Sequence, residues 1–114
     1  MNLKEMQAKR ELLNKIRYTN RSGSHINCIR LSHANTWQHE LKKVEVCWEL
    51  LKQKKEFITE AIFENGSRAD ILNLTDGIVI EILHTETVEK FKEKIKKYPI
   101  DATYILTSED AKTI

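Results

Sequence analysis

Two acidic residues, Asp70 and Glu81, lie in short apolar stretches separated by Asp76-Gly77, a dipeptide typical of tight hairpin turns. If that dipeptide forms a two-residue loop, Asp70 faces Leu83, and Glu81 lies diagonally across from Asp70 on the same face of the sheet. A strand as apolar as the one around Glu81 is usually buried on both faces, where an unpaired carboxylate is costly. The two carboxylates therefore predict either a bound divalent cation or an Arg or Lys partner.

A helix predicted over residues 37–54 supplies further candidates. At 100° per residue its apolar side chains form one arc, which we expect to pack on the sheet: Trp37, Leu41, Val44, Trp48 and Leu51. Glu40 falls inside this arc and Lys43 lies on its rim. An acid on the buried side of a helix is tolerated if it points at the same cation as Asp70 and Glu81.

The other elements follow from composition and turn residues. Residues 2–17 predict a basic helix that is either a solvated amphipathic helix or a contact for phosphates, and residues 18–24 predict a loop. Either Asn35 or Thr36 caps the helix that begins at residue 37. Residues 57–64 predict a strand that ends at an Asn-Gly hairpin signal.

A second amphipathic helix is predicted over residues 86–97, followed by a short strand over 102–106. Because a helical crossover joins this strand to the one ending at residue 83, the two strands should be parallel. The predicted fold is α/β: a mixed sheet with an antiparallel three-strand meander, flanked by helices, with the N-terminal helix appended. Besides the helix arc, four residues should belong to the core: Ile71, Ile80, Phe91 and Ile95.

Composition sets broad limits. A chain of 114 residues with a formal net charge of +2 fits one domain, and its overall charge alone does not indicate a nucleic-acid partner. The sequence has no apolar run near 18 residues and no signal-peptide pattern, so we expect a cytoplasmic protein without a membrane partner. Cys28 and Cys47 are expected to be reduced thiols. Together with His33 and His39 they match no standard zinc spacing.

The order of these elements and acids resembles the PD-(D/E)xK nuclease superfamily. The similarity is carried by SHANTWQHELKK, by RADILNLTDGIVIEILHTE and by the helix ending in KKYP, and it covers about residues 32–106. It is closest to the CoiA-like branch and to archaeal Holliday-junction resolvases. The resemblance implies a restriction-endonuclease-like core over 32–106, preceded by the basic helix and loop at 1–24, in a single domain.

The resemblance also implies a reaction, the Mg²⁺- or Mn²⁺-dependent hydrolysis of phosphodiester bonds in DNA, including branched DNA. Asp70 and Glu81 would be direct metal ligands, the backbone carbonyl of Ile82 another, and Glu40 would complete the site. Glu60, on the neighbouring strand, is a further candidate. Because one site of this size cuts one strand, a two-fold homodimer is compatible with this function.

The sequence departs from the family pattern at Leu83, where the family has Lys or, in the CoiA-like branch, Gln. Leucine can neither orient a water molecule nor stabilise an oxyanion. Lys43 is the first candidate to replace the lysine and Arg68 the second, although Arg68 could instead pair with Asp70 without any metal. Two interpretations remain open: a Mg²⁺-dependent endonuclease, or a nuclease-fold module that binds nucleic acid or a protein partner without cutting.

Overall fold

A computed structural model of the chain describes residues 2–16, 26–83, 96 and 103–107. These residues form two helices and four strands, namely α1 (Leu3–Leu13), α2 (Trp37–Lys52), β1 (Phe57–Ile62), β2 (Arg68–Asn73), β3 (Ile78–Leu83) and β4 (Thr103–Thr107). The helix predicted over 86–97, with Phe91 and Ile95, lies outside the described residues. No helix within them is both long enough and apolar enough to cross a membrane.

The four strands form one mixed sheet in the order β1-β2-β3-β4. The pairs β1–β2 and β2–β3 are antiparallel, and β3 pairs with β4 in parallel. This confirms the predicted meander and the parallel fourth strand.

The turn between β2 and β3 is longer than predicted. Asn73 pairs with Ile78, so the loop has four residues, 74–77, and the expected two-residue loop at Asp76-Gly77 is wrong. The Asn73 side chain accepts a hydrogen bond from the Asp76 N–H at 3.0 Å and thereby closes the turn. Continued by one residue beyond Ile71 and Ile80, the observed register places Asp70 opposite Glu81.

Each face of the sheet carries its own apolar cluster. One contains Ile58, Ala61, Leu72 and Val79, together with Ile16, which follows α1 and bridges to Phe63. The N-terminal helix ends at Leu13, earlier than the predicted end at residue 17, and none of its residues is buried. The other cluster lies beneath α2 and includes Ile71 and Ile80, as predicted.

Helix α2 begins at the N-cap Thr36, whose side chain accepts a hydrogen bond from the His39 N–H. It turns a different face to the sheet from the predicted one. The buried residues are His39, Glu40, Lys42, Lys43, Val46, Cys47 and Leu50. The expected core arc is exposed instead, at Trp37, Leu41, Val44, Trp48 and Leu51. The sheet-facing side contains only three apolar residues, so hydrophobic periodicity alone selects the wrong face.

Candidate active site

The carboxylates of Asp70 and Glu81 lie where β2 and β3 separate. The paired register between the two strands ends at Ile71 and Ile80. Beyond it the side chains make the cross-strand bonds: the Asp70 N–H donates to Glu81 Oε1 at 3.2 Å, and the Ile82 N–H donates to Asp70 Oδ2 at 2.8 Å. Each carboxylate is therefore fixed by a backbone donor of the opposite strand.

The Asp70 and Glu81 side chains also interact closely enough for Glu81 to contribute to lowering the pKa of Asp70. Burial by itself would raise the pKa of Asp70, but hydrogen bonds with His39, Glu81 and the Ile82 N–H outweigh it and hold that pKa below its usual range. Glu81 is buried, whereas the Asp70 side chain is 13% exposed. Two neighbouring carboxylates repel each other when both are ionised, so a cation bound by both would be favoured here.

His39 connects the helix to this pair. Its Nε2 lies 3.2 Å from Asp70 Oδ2 and its Nδ1 lies 2.8 Å from Glu40 Oε1. Burial alone would lower the pKa of His39, but the hydrogen bonds and negative charges of Asp70 and Glu40 outweigh it and raise that pKa. A ring with a carboxylate oxygen at each nitrogen is fully satisfied only as the imidazolium, which has two N–H donors.

Lys43 lies one turn further along α2 and is completely buried. Its Nζ donates to Glu40 Oε2 at 2.9 Å, to Glu60 Oε1 at 2.8 Å and to the backbone carbonyl of Arg30 at 3.0 Å. An ammonium group has three N–H donors, so these contacts use all of them. The two carboxylates outweigh the effect of burial and raise the pKa of Lys43, which holds it as a cation.

The Glu40 carboxylate, like the Lys43 ammonium, has several hydrogen-bond partners within the protein. Besides Lys43 and His39, it accepts hydrogen bonds from the Ser32 N–H at 2.9 Å and from Asn35 Nδ2 at 2.8 Å. Burial would raise the pKa of Glu40, but the donors at Lys43, Ser32 and Asn35 outweigh it and lower that pKa. Glu40 is thus joined to Asp70 by the His39 ring, and its two oxygens already have four partners.

Glu60 interrupts the pairing of β1 with β2. Its φ of 51° is in the left-handed region, and the register skips it between Thr59–Ile71 and Ala61–Ala69. A non-glycine residue in this conformation costs about 1–3 kcal/mol and persists only where its surroundings hold it. The Glu60 carboxylate is held by Lys43, so the strained strand residue and the buried ammonium belong to one ionic cluster.

The remaining predicted site residues lie around this centre. Arg68 begins β2 with a side chain that is 61% exposed, and its Nε is 4.0 Å from Glu60 Oε2, a loose contact. The N–H of Ile82 binds Asp70, and the register pairs Ile82 with Leu106 of β4. Leu83 is the last residue of β3, opposite Thr107.

The two carboxylates at this centre are a smaller donor set than the four-ligand metal site predicted from the sequence. The described residues contain no group of three or more His, Cys, Asp or Glu side chains that could hold a metal ion. Asp70 and Glu81 do provide two adjacent carboxylates. Mg²⁺ commonly binds one or two carboxylates and completes its shell with waters and substrate oxygens. Glu40, with all its partners in the protein, lies outside this pair.

Sequence reasoning missed His39 as a site residue, because it was considered only as a zinc ligand. A signal was present: His39, Lys43, Val46 and Leu50 recur at three- and four-residue spacing on one side of α2. The more apolar opposite side masked it. The left-handed backbone conformation of Glu60 is a second feature of the site that no sequence pattern indicates.

Comparison with known proteins identifies no relative: no family model, no curated protein and no solved structure matches the chain.

Proposed function

We propose that this chain is a Mg²⁺-dependent phosphodiester hydrolase that acts on DNA and is built on a restriction-endonuclease-like core. The observation that carries the proposal is the Asp70–Glu81 carboxyl pair, placed where β2 and β3 separate and held by backbone donors of both strands. A Mg²⁺ ion bound there would lower the pKa of a water molecule and offset the negative charge of the reacting phosphate.

The surrounding residues have distinct roles in this proposal. Asp70 and Glu81 hold the cation, and His39 orients Asp70 through its Nε2 contact. Lys43 and Glu40 fix the position of α2 over the strands and are positioning residues, because their donors and acceptors are already used within the protein. Arg68 is a better candidate than the buried Lys43 for contacting a substrate phosphate, since the Arg68 side chain is 61% exposed.

Substrate recognition should depend on phosphate and shape. A domain of 114 residues leaves little room for a module that reads base edges, and phosphate contacts need only placed donors and positive charge. Three basic residues of the exposed N-terminal helix, Lys4, Lys9 and Arg10, could extend such a surface, although Lys9 already pairs with Glu56 at 3.0 Å. Four-way junctions and nicked plasmid are therefore suitable first substrates.

The test combines metal binding with cleavage. Mn²⁺ binding is followed by electron paramagnetic resonance, and cleavage of plasmid and four-way junctions is followed with Mg²⁺ or Mn²⁺. Asp70→Asn and Glu81→Gln should each lose both properties while remaining folded. The matched control is Glu49→Gln, which removes an exposed carboxylate from α2 that pairs only with Lys52 at 3.3 Å among the described contacts. Retained Mn²⁺ binding in both site variants would refute the metal site.

A module that binds without cutting is the second candidate. It is favoured by Leu83 at the position where the resembling nucleases have lysine. It is also favoured by Lys43, whose three N–H donors are all used within the protein. If the wild type binds DNA and cuts none of these substrates with either metal, while Leu83→Lys alone creates a nuclease, this second function is the correct one.

A further inference from the structure

Helix α2 exposes an apolar seam on the side away from the sheet. The seam consists of Trp37, Leu41, Val44, Trp48 and Leu51, and both tryptophans are more than 60% exposed. Its members are spaced four, three, four and three residues apart, which is the strict spacing of a coiled-coil interface. A seam of this kind fits knobs into the holes of another helix, so its partner should be helical.

The exposed apolar area of the seam can be compared with the area that a protein–protein interface buries. Since an aromatic side chain can bury up to about 250 Å², the exposed parts of the two tryptophans alone offer roughly 300 Å². With the three aliphatic residues the seam offers on the order of 400 Å², which is in the range of the largest exposed apolar patch of a typical monomer, a patch that is often functional. That is about half of the ~800 Å² that each partner of a standard interface buries, and the polar side chains flanking the seam would supply the rest.

Two copies of the seam have complementary side-chain sizes when the two helices run antiparallel. In an antiparallel pair centred on Val44, Trp37 of one copy meets Leu51 of the other, and Leu41 meets Trp48. Every outer layer then combines one large and one smaller side chain, the arrangement that packs best, and Val44 meets its own copy. A parallel pair would instead place each tryptophan against itself. The antiparallel arrangement also sets each helix N-terminus beside the other's C-terminus, which the helix dipoles favour.

We propose that a second copy of this chain docks on the α2 seam, antiparallel and with two-fold symmetry about Val44. The inference does not depend on hydrolase activity, because it uses the exposed residues of α2 and none of the buried residues His39, Glu40 and Lys43. It would place two copies of the Asp70–Glu81 pair in one assembly.

Glu45 provides an internal check on this geometry. It flanks the seam next to Val44, and its Oε2 is buried without a hydrogen-bond partner among the described residues. Antiparallel pairing brings two copies of Glu45 near each other beside the two-fold axis, where like charges repel. Glu45→Gln should therefore increase the dimer fraction at neutral pH.

The decisive experiment uses the self-contact of Val44. Val44→Cys is made in a Cys28→Ser background, because Cys28 is exposed and would otherwise react. Under oxidation it should form a covalent dimer, since residues on a two-fold axis can meet disulfide geometry. The control, Leu41→Cys in the same background, should not crosslink, because Leu41 meets Trp48 rather than itself. Crosslinking of both variants would indicate a parallel pair and overturn the proposed geometry.

The solution assembly gives an independent readout. Sedimentation equilibrium of the wild type should show a dimer that dissociates on dilution, and Trp48→Ala should weaken it by on the order of 30-fold or more, as expected for a central tryptophan. Because Trp48 is 61% exposed in a single chain, circular dichroism should show that the variant stays folded. A wild type that remains monomeric would overturn the proposal. If Trp48 in that monomer were shielded from a fluorescence quencher, residues 84–102 of the same chain would be assigned as the segment that covers the seam.

Discussion

The Nζ atom of Lys43 lies 2.8 Å from Oε1 of Glu60 and joins the middle of α2 to a strand residue with a left-handed backbone. This bond connects the helix that carries His39 to β1, and the contact of His39 with Asp70 connects the same helix to β2. Charged groups rather than apolar ones thus set the position of the helix at this end of the sheet.

Removing the buried ammonium should be costly. Lys43→Met removes the buried ammonium that pairs with the buried Glu40 and the partly buried Glu60, so we expect a loss of about 3–5 kcal/mol in the free energy of unfolding. Urea unfolding at neutral pH measures this loss. The control is Lys52→Met, which breaks an exposed pair with Glu49 and should change stability by about 0.5 kcal/mol or less. Equal effects of the two variants would contradict the role given to Lys43.

The stabilising effect of Glu40 should disappear in acid. The folded-state pKa of Glu40 is lowered, so its carboxylate contributes stability that is fully present above the unfolded pKa of about 4.3 and is lost as the pH falls through the folded value. Glu40→Gln should therefore be less stable than the wild type at pH 7, and the difference should shrink as the pH falls below about 4. Urea midpoints across this range measure it, and a difference independent of pH would rule out the ionic contribution.

The strain at Glu60 can be separated from its charge. Glu60→Ala and Glu60→Gly both remove the carboxylate, but only glycine accepts a φ of 51° without steric cost. We expect the glycine variant to be more stable than the alanine variant by about 1 kcal/mol, the reverse of the usual order in a strand. Thermal unfolding of the two variants compares them directly. If alanine is the more stable, Glu60 is not held in the left-handed region in solution.

The two cysteines should differ sharply in reactivity. Burial raises the pKa of Cys47 to about 12, an effect that the nearby Lys43 only partly offsets, whereas Cys28 is exposed. Because the thiolate is the reactive form, a disulfide reagent at pH 8 should modify Cys28 quickly and Cys47 only as the protein unfolds. Cys28→Ser serves as the control and should leave only the slow reaction. Fast modification of both thiols would show that α2 separates from the sheet under native conditions.

The missing lysine leads to a prediction about rate. Leu83→Lys places an amine at the end of β3, two residues after Glu81, where the resembling nucleases carry one. If the wild type cuts slowly, this change should raise the cleavage rate by about 100-fold, as expected for one added group that stabilises the transition state. Single-turnover cleavage measures the rate, and Leu83→Met is the control of similar length without charge. An unchanged rate would mean that the position does not face the reacting phosphate.

The sequence by itself determined the elements and their connection. Turn residues and β-branched stretches located β1, β2 and β3, and the helix expected after β3 predicted a parallel β4, which the pairing of β3 with β4 confirms. Thr36 was one of the two predicted helix caps. These features are local or topological, so the identities of neighbouring residues are enough to specify them.

Tertiary structure decided which faces meet and how the polar groups are satisfied. The 3.5-residue period of Trp37, Leu41 and Val44 shows that they share a face, but periodicity does not say what that face contacts. The sheet accepts the other side of α2 because His39, Glu40 and Lys43 find partners there that repay their desolvation. Likewise, the extra loop residues after Asn73 moved Glu81 from a diagonal position to one opposite Asp70, a change that depends on side-chain hydrogen bonds within the turn.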